Sequence, residues 1–179
     1  MLCEIAKTHQ VIVFSHDDRL ASVIRDTGVD ARLIEVVREK GSRVTVRDNV
    51  NPALRQVGDI FALIKDDKMP DDIKGRAAPA LFRMALESAA KQTFYAKEAL
   101  AGRALTESED RWLSAKKTSN RLALAIHGDP QTDLTAWLKP ERKRALWICN
   151  AGAHGDAKPV SIHDARDLEK TVLEVLALR

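Results

Sequence analysis

The chain has 179 residues, of which 45% are hydrophobic, 31% charged and 4% aromatic, with a formal net charge of +3. A normal apolar fraction with so small a net charge excludes an intrinsically disordered chain. No apolar run approaches the ~20 residues of a membrane-spanning helix. Cys3 and Cys149 are isolated, which argues against a paired-cysteine zinc motif or a disulfide framework. With no signal-peptide pattern at the start, a reducing cytoplasm is the expected compartment.

Residues 10–15 (QVIVFS) form a short, β-branched apolar run, the pattern of a strand buried on both faces. Residues 18–27 predict a helix with Leu20, Val23 and Ile24 on one face and Gly28 at its stop. Residues 31–39 and 42–47 flank Lys40-Gly41 as a hairpin, and Val44 and Val46 alternate with Arg43, Thr45 and Arg47. Such a strand–helix–hairpin unit leaves its first strand without neighbours, so its edge calls for another chain or further sequence.

From Asn51 the hydrophobic period becomes helical. Asn51-Pro52 opens a helix carrying Leu54, Val57, Ile60, Phe61 and Ile64, and the polar stretch 65–75 predicts a domain boundary. A long alanine-rich helix is expected from Arg76 or Pro79 to about Gly102. Thr106-Glu107-Ser108-Glu109 reads as a capping box starting a helix that ends at His127-Gly128. Another helix is expected after Thr132 and restarts at Pro140. Ser161-Ile162-His163-Asp164 is a second capping box, and Leu168, Val172, Leu173, Val175 and Leu176 stripe the last helix. The expected fold class is α+β, mostly α: a small α/β remnant over residues 1–65, then a bundle of four or five helices over residues 70–179.

The run from Thr8 to Asp17 (THQVIVFSHD) resembles the switch-histidine segment of ABC-type ATPases, in which a buried strand ends in Ser/Thr, His and often Asp. The helix and strand–glycine–strand hairpin that follow fit the end of that fold. The resemblance spans the first ~50 residues and implies a nucleotide-contacting role for His16. The chain has neither a G-x-x-x-x-G-K-[ST] phosphate loop nor an acidic strand before His16. It is therefore expected to bind no cofactor by itself, with ATP and magnesium belonging to a longer parent ATPase. The expected partners are that missing ATPase core or a second copy of the chain, with RNA or DNA as a further partner and no membrane.

ATPases of this superfamily, in chromosome maintenance, DNA repair and anti-phage defence, often carry a C-terminal helical effector. The second half resembles the HEPN class of such bundles, some members of which cut RNA without metal using arginine, glutamate and histidine. The resemblance implies that Arg83 and Glu87 (RMALE), with Asn150 and His154 (CNAGAHG), are the catalytic residues. Arg83 and Glu87 are spaced i, i+4 on one helix face, and Asn150 and His154 share that spacing if their helix persists. Cleavage by the 2′-hydroxyl requires a base, an acid and a cation for the phosphorane charge, roles that suit Glu, His and Arg.

Chance weighs against spacing alone. R-x-x-x-E recurs at Arg103 and Glu107, and its bland interpretation is a surface ion pair in the less favourable order. The usual HEPN spacing of arginine, four to six residues and histidine is met only by Arg121 and His127. Leu122 replaces the expected polar residue there, so a solvated arginine and a histidine at the helix C-terminus explain that pair. Lys116, Lys117 and Arg121, then Lys139, Arg142, Lys143 and Arg144, are two basic clusters that would bind phosphates only if they converge. A non-catalytic interaction or dimerisation module is the alternative to a nuclease.

Overall fold

The computed structural model describes residues 2–16, 19–27, 29–48, 51–151 and 159–179. The chain divides into two compact units, Met1–Asn49 and Val50–Arg179. Together they are α+β and mostly α.

The first unit contains helices α1 (Leu2–Ile5) and α2 (Arg19–Thr27), then an antiparallel hairpin of β1 (Ile34–Arg38) and β2 (Val44–Asp48). Gly41 and Ser42 turn the chain with φ of 74° and 63°, the left-handed region that glycine enters without steric cost. Val36 stands opposite Val46, and Arg47 Nε bonds across to Glu35 at 3.1 Å. The register places Ile34, Val36, Val44 and Val46 on one face, and all four are more than half exposed. The helix and hairpin agree with expectation; the strand over residues 10–15 does not. Those residues form no strand, and Phe14 is 93% exposed. A strand requires a hydrogen-bonded neighbour, and β1 and β2 are paired with each other.

The second unit is built from α3 (Pro52–Lys65), α4 (Asp71–Leu100), α5 (Leu105–Ser114), α6 (Thr118–His127), α7 (Pro140–Ala151) and α8 (Ile162–Leu176). The 30-residue α4 is the central pillar and packs against α3, α6, α7 and α8. Its core face alternates Phe82, Leu86 and Phe94 with Ala78, Ala85, Ala89 and Ala90. The alanines let neighbouring helices approach closely, and the larger side chains fill the gaps with Ile60, Leu122, Leu124, Ile148, Leu168 and Val172. An alanine-rich core of this kind accounts for a stable bundle with few aromatics.

Local signals set several helix ends. Asn51 caps α3 by accepting from the Ala53 amide, Gly128 closes α6 at φ 79°, and Ser161 and Asp164 form the complete capping box of α8. Other boundaries differ from the sequence reading. Helix α3 packs on α4 and α8, so the polar stretch 65–75 includes a turn inside the second unit and the division falls near residue 50. Helix α4 begins at Asp71, with Pro79 inside it; the acidic pair Asp71 and Asp72 favours the positive helix start.

Thr106 caps nothing, because α5 already starts at Leu105 with Ala104 as its N-cap. The single helix expected through His127 is two, α5 and α6, broken at residues 115–117, where Arg121 Nε takes the Ala115 carbonyl at 2.9 Å. No helix forms between Thr132 and Pro140, since Asp133 draws the Thr135 amide and hydroxyl into a local turn at 2.9 and 2.7 Å. Residues 70–179 hold five helices among the described residues, α4 to α8, within the expected four or five, and α3 joins them as a sixth.

Candidate functional site

Arg83 and Glu87 lie one turn apart on α4 and do not pair with each other; each meets a different helix. The Arg83 guanidinium donates to the Cys149 carbonyl at the end of α7 at 3.2 Å. Glu87 Oε1 accepts from the Thr118 hydroxyl, the first residue of α6, at 2.7 Å. Its other oxygen is ion-paired with the Arg121 guanidinium. Arg121 is further held by the Ala115 carbonyl and by the Trp112 ring, whose centroid is 5.3 Å away. The buried Cys149 thiol closes the circuit by donating to Thr118 Oγ1 at 3.6 Å.

The result is a contiguous polar cluster of Arg83, Glu87, Thr118, Arg121 and Cys149, drawn from α4, α6 and α7. One guanidinium, of Arg121, is paired with the carboxylate, and the other, of Arg83, is held by the α7 backbone. Burial pushes the Cys149 thiol up, against the lowering effects of the Thr118 hydrogen bond and the Arg83 charge. The thiol therefore stays protonated at neutral pH, which suits a structural donor and disfavours a nucleophile.

The other expected site residues fare differently. Asn150 follows the residue that Arg83 contacts, yet it is exposed and makes no hydrogen bond to Arg83 or Glu87 among the described residues. His154 lies outside the described residues. His16 is an exposed bend residue of the first unit with no strand before it. His127 is exposed beside the left-handed cap Gly128.

Thr118 was not singled out from sequence, and Arg121, expected to be a solvated arginine, is instead paired with Glu87. Their i, i+3 spacing places a hydroxyl and a guanidinium on one face of α6, the signal that could have revealed them. The basic clusters also resolve differently from a shared phosphate-binding patch. Arg121 is committed to Glu87, Arg142 bonds Glu174 at 2.7 Å, and Arg144 bonds Asp164 at 2.6 Å. Among the described residues, no three His, Cys, Asp or Glu side chains are grouped to hold a metal ion. A groove of about 290 Å³ between Asn120, Leu134, Leu138 and Leu146 is lined by none of the cluster residues. Comparison with protein-family models, curated proteins and solved structures returned no match.

Proposed function

We propose that the chain is a C-terminal effector module that works with an ABC-type ATPase, and that its helical unit is a metal-independent ribonuclease of HEPN type. The observation that carries this reading is the contact of Arg83, one turn from Glu87 on α4, with the Cys149 carbonyl near the end of α7, the helix that precedes His154 in sequence. In the proposed chemistry Glu87 takes the proton of a ribose 2′-hydroxyl, whose oxygen attacks the adjacent phosphorus. Both Glu87 oxygens already accept one bond, and each retains a second lone pair for this proton. Arg83 offsets the charge of the pentacoordinate phosphorane, and His154 protonates the departing 5′-oxygen. The products are a 2′,3′-cyclic phosphate and a 5′-hydroxyl. Arg121 and Thr118 orient the carboxylate.

The test is incubation of the full chain with transfer RNA in excess chelator. Arg83→Ala and His154→Ala should each lower cleavage at least ~100-fold while leaving the thermal unfolding midpoint in place. Equal cleavage by wild type and both variants, or none by any of them, removes the ribonuclease reading.

A second reading, a non-catalytic interaction module, is favoured by the hairpin. Its exposed face of Ile34, Val36, Val44 and Val46 suits packing against an ATPase core or a second copy of the chain. Mixing the chain with an ABC-type ATPase core and measuring sedimentation tests it. A complex that Val36→Lys abolishes supports this docking, and a complex indifferent to Val36→Lys argues against it.

A further inference from the structure

We propose that the groove between the start of α6, the loop over residues 130–138 and α7 receives one guanine base of an RNA strand. The inference rests on the reading of the helical unit as an RNA-contacting module and names which part of the strand this surface holds. The groove has a volume of about 290 Å³, at the small end for ligand sites, which suits a single base and not a base pair. It begins at Ser119, the residue after Thr118, whose hydroxyl bonds Glu87. A base seated there belongs to a nucleotide close to the polar cluster.

The lining has two kinds of surface. Leu134 is buried, and Leu138 and Leu146 are partly buried against the core, so the three offer an apolar floor to the face of a ring. Asn120, Gln131 and Asp133 stand around it, with the hydroxyls of Ser119 and Thr132. Among the described residues, no lysine, arginine or histidine lines the groove, so it is unsuited to a phosphate group. Its polar side chains equally disfavour a purely aliphatic ligand. A flat molecule with apolar faces and a hydrogen-bonding edge fits both surfaces, and a nucleobase is such a molecule. Lys117 and Lys139, exposed and close in sequence to Ser119 and Leu138, supply positive charge outside the groove for the strand's phosphates.

The rim is ordered before any ligand arrives. Asn120 Nδ2 donates to the Pro130 carbonyl at 2.9 Å and ties the loop to α6. Asp129 accepts from the Gln131 amide at 2.9 Å, and the Leu134 carbonyl accepts from the amides of Trp137 and Leu138 at 2.9 and 2.8 Å. Asp133 Oδ1 accepts from both the hydroxyl and the amide of Thr135. The Thr135 hydroxyl first, then its amide, hold the Asp133 carboxyl below the usual carboxylate range, so it is ionised at neutral pH. Asp133 Oδ2 takes no hydrogen bond among the described residues and remains an acceptor on the rim. The side chains of Ser119, Gln131 and Thr132 likewise bond nothing among the described residues. Guanine is the RNA base that sets two N–H donors side by side on its pairing edge, which a carboxylate accepts. Adenine places an acceptor nitrogen beside its amino group, and the same carboxylate repels it. The Gln131 amide and the rim hydroxyls are donors for the guanine carbonyl.

The test titrates the full, isotope-labelled chain with guanosine monophosphate and adenosine monophosphate, which share a phosphate and differ in the base. Guanylate should shift the backbone amide resonances of Ser119, Asn120 and residues 131–134 and bind at least about tenfold more tightly than adenylate. Asp133→Asn keeps an oxygen for Thr135 and puts an amide donor in place of Oδ2, so it should abolish this preference while leaving thermal melting unchanged. Equal binding of the two nucleotides, no binding, or a preference that survives Asp133→Asn overturns the proposal. Groove resonances that move with protein concentration and not with nucleotide also overturn it and assign the groove to a second copy. Guanylate binding at these amides without cleavage of transfer RNA upholds the pocket and counts against the ribonuclease chemistry alone. Cleavage without guanylate binding does the reverse.

Discussion

The two units of this chain spend their apolar residues in opposite ways. Every buried residue among those described lies at or beyond Ala53, while Ile12, Val13, Phe14, Ile34, Val36, Val44 and Val46 of the first unit are half exposed or more. The second unit encloses its hydrophobic face by wrapping five helices around α4. The first is two short helices and a two-stranded hairpin, and a lone hairpin is at best marginally stable in water. Hydrophobic pattern alone thus does not secure burial. It needs a second surface within reach, and the difference between the units is whether the chain supplies one.

The contrast can be broken by mutation. Phe82→Ala, at a fully buried site on α4, should destabilise the helical unit by about 3–5 kcal/mol in denaturant unfolding. A loss below 1 kcal/mol would mean that α4 is not the packed pillar described. Next in size is the buried carboxylate Glu98, which is held by Arg103 and Arg111 near the end of α4. Glu98→Ala removes the partner of two guanidiniums and should cost about 3 kcal/mol. If Glu98→Ala unfolds at the wild-type denaturant concentration, these ion pairs contribute nothing net.

Asp164 provides a smaller, pH-dependent effect. Burial raises its carboxyl, but the Arg144 guanidinium and the Ser161 amide and hydroxyl outweigh this and hold it below the usual carboxylate range. A carboxyl depressed in the folded state binds fewer protons there than when unfolded. Its contribution is therefore fully present above the unfolded value of about 4 and is lost as pH falls through the lower folded value. Asp164→Asn should cost about 1 kcal/mol at neutral pH and flatten the acid limb of the stability profile. An acid limb identical to wild type would exclude Asp164 as its source. Smallest of all is Val36→Ala on the exposed hairpin face, which should change stability of the isolated chain by less than about 0.5 kcal/mol. A larger loss would show that this face is covered in the free protein.

What could be foreseen from sequence follows the same division. Asn51, Gly128 and Ser161 act on backbone groups within a few residues, so the helix ends they mark were readable from local chemistry. The break between α5 and α6 was hidden, because the Arg121 side chain that secures the Ala115 carbonyl lies on the following helix. Residues 10–15 have the composition of a buried strand, but strand formation depends on a ladder partner that the described residues do not provide. Spacing singled out Arg83 and Glu87 as a pair on one face, and the structure separates their partners. The residues that hold Glu87 are 31 and 34 positions away, beyond the reach of any local pattern.

The central proposal is that the Arg83–Glu87 cluster cuts RNA. Its most direct test is single-turnover cleavage of end-labelled transfer RNA in chelator by wild type and Glu87→Gln, with product ends mapped. The proposal predicts 2′,3′-cyclic phosphate ends and a rate at least about 100-fold lower in a folded Glu87→Gln protein. Cleavage at the wild-type rate by Glu87→Gln, or no cleavage by wild type, would contradict it.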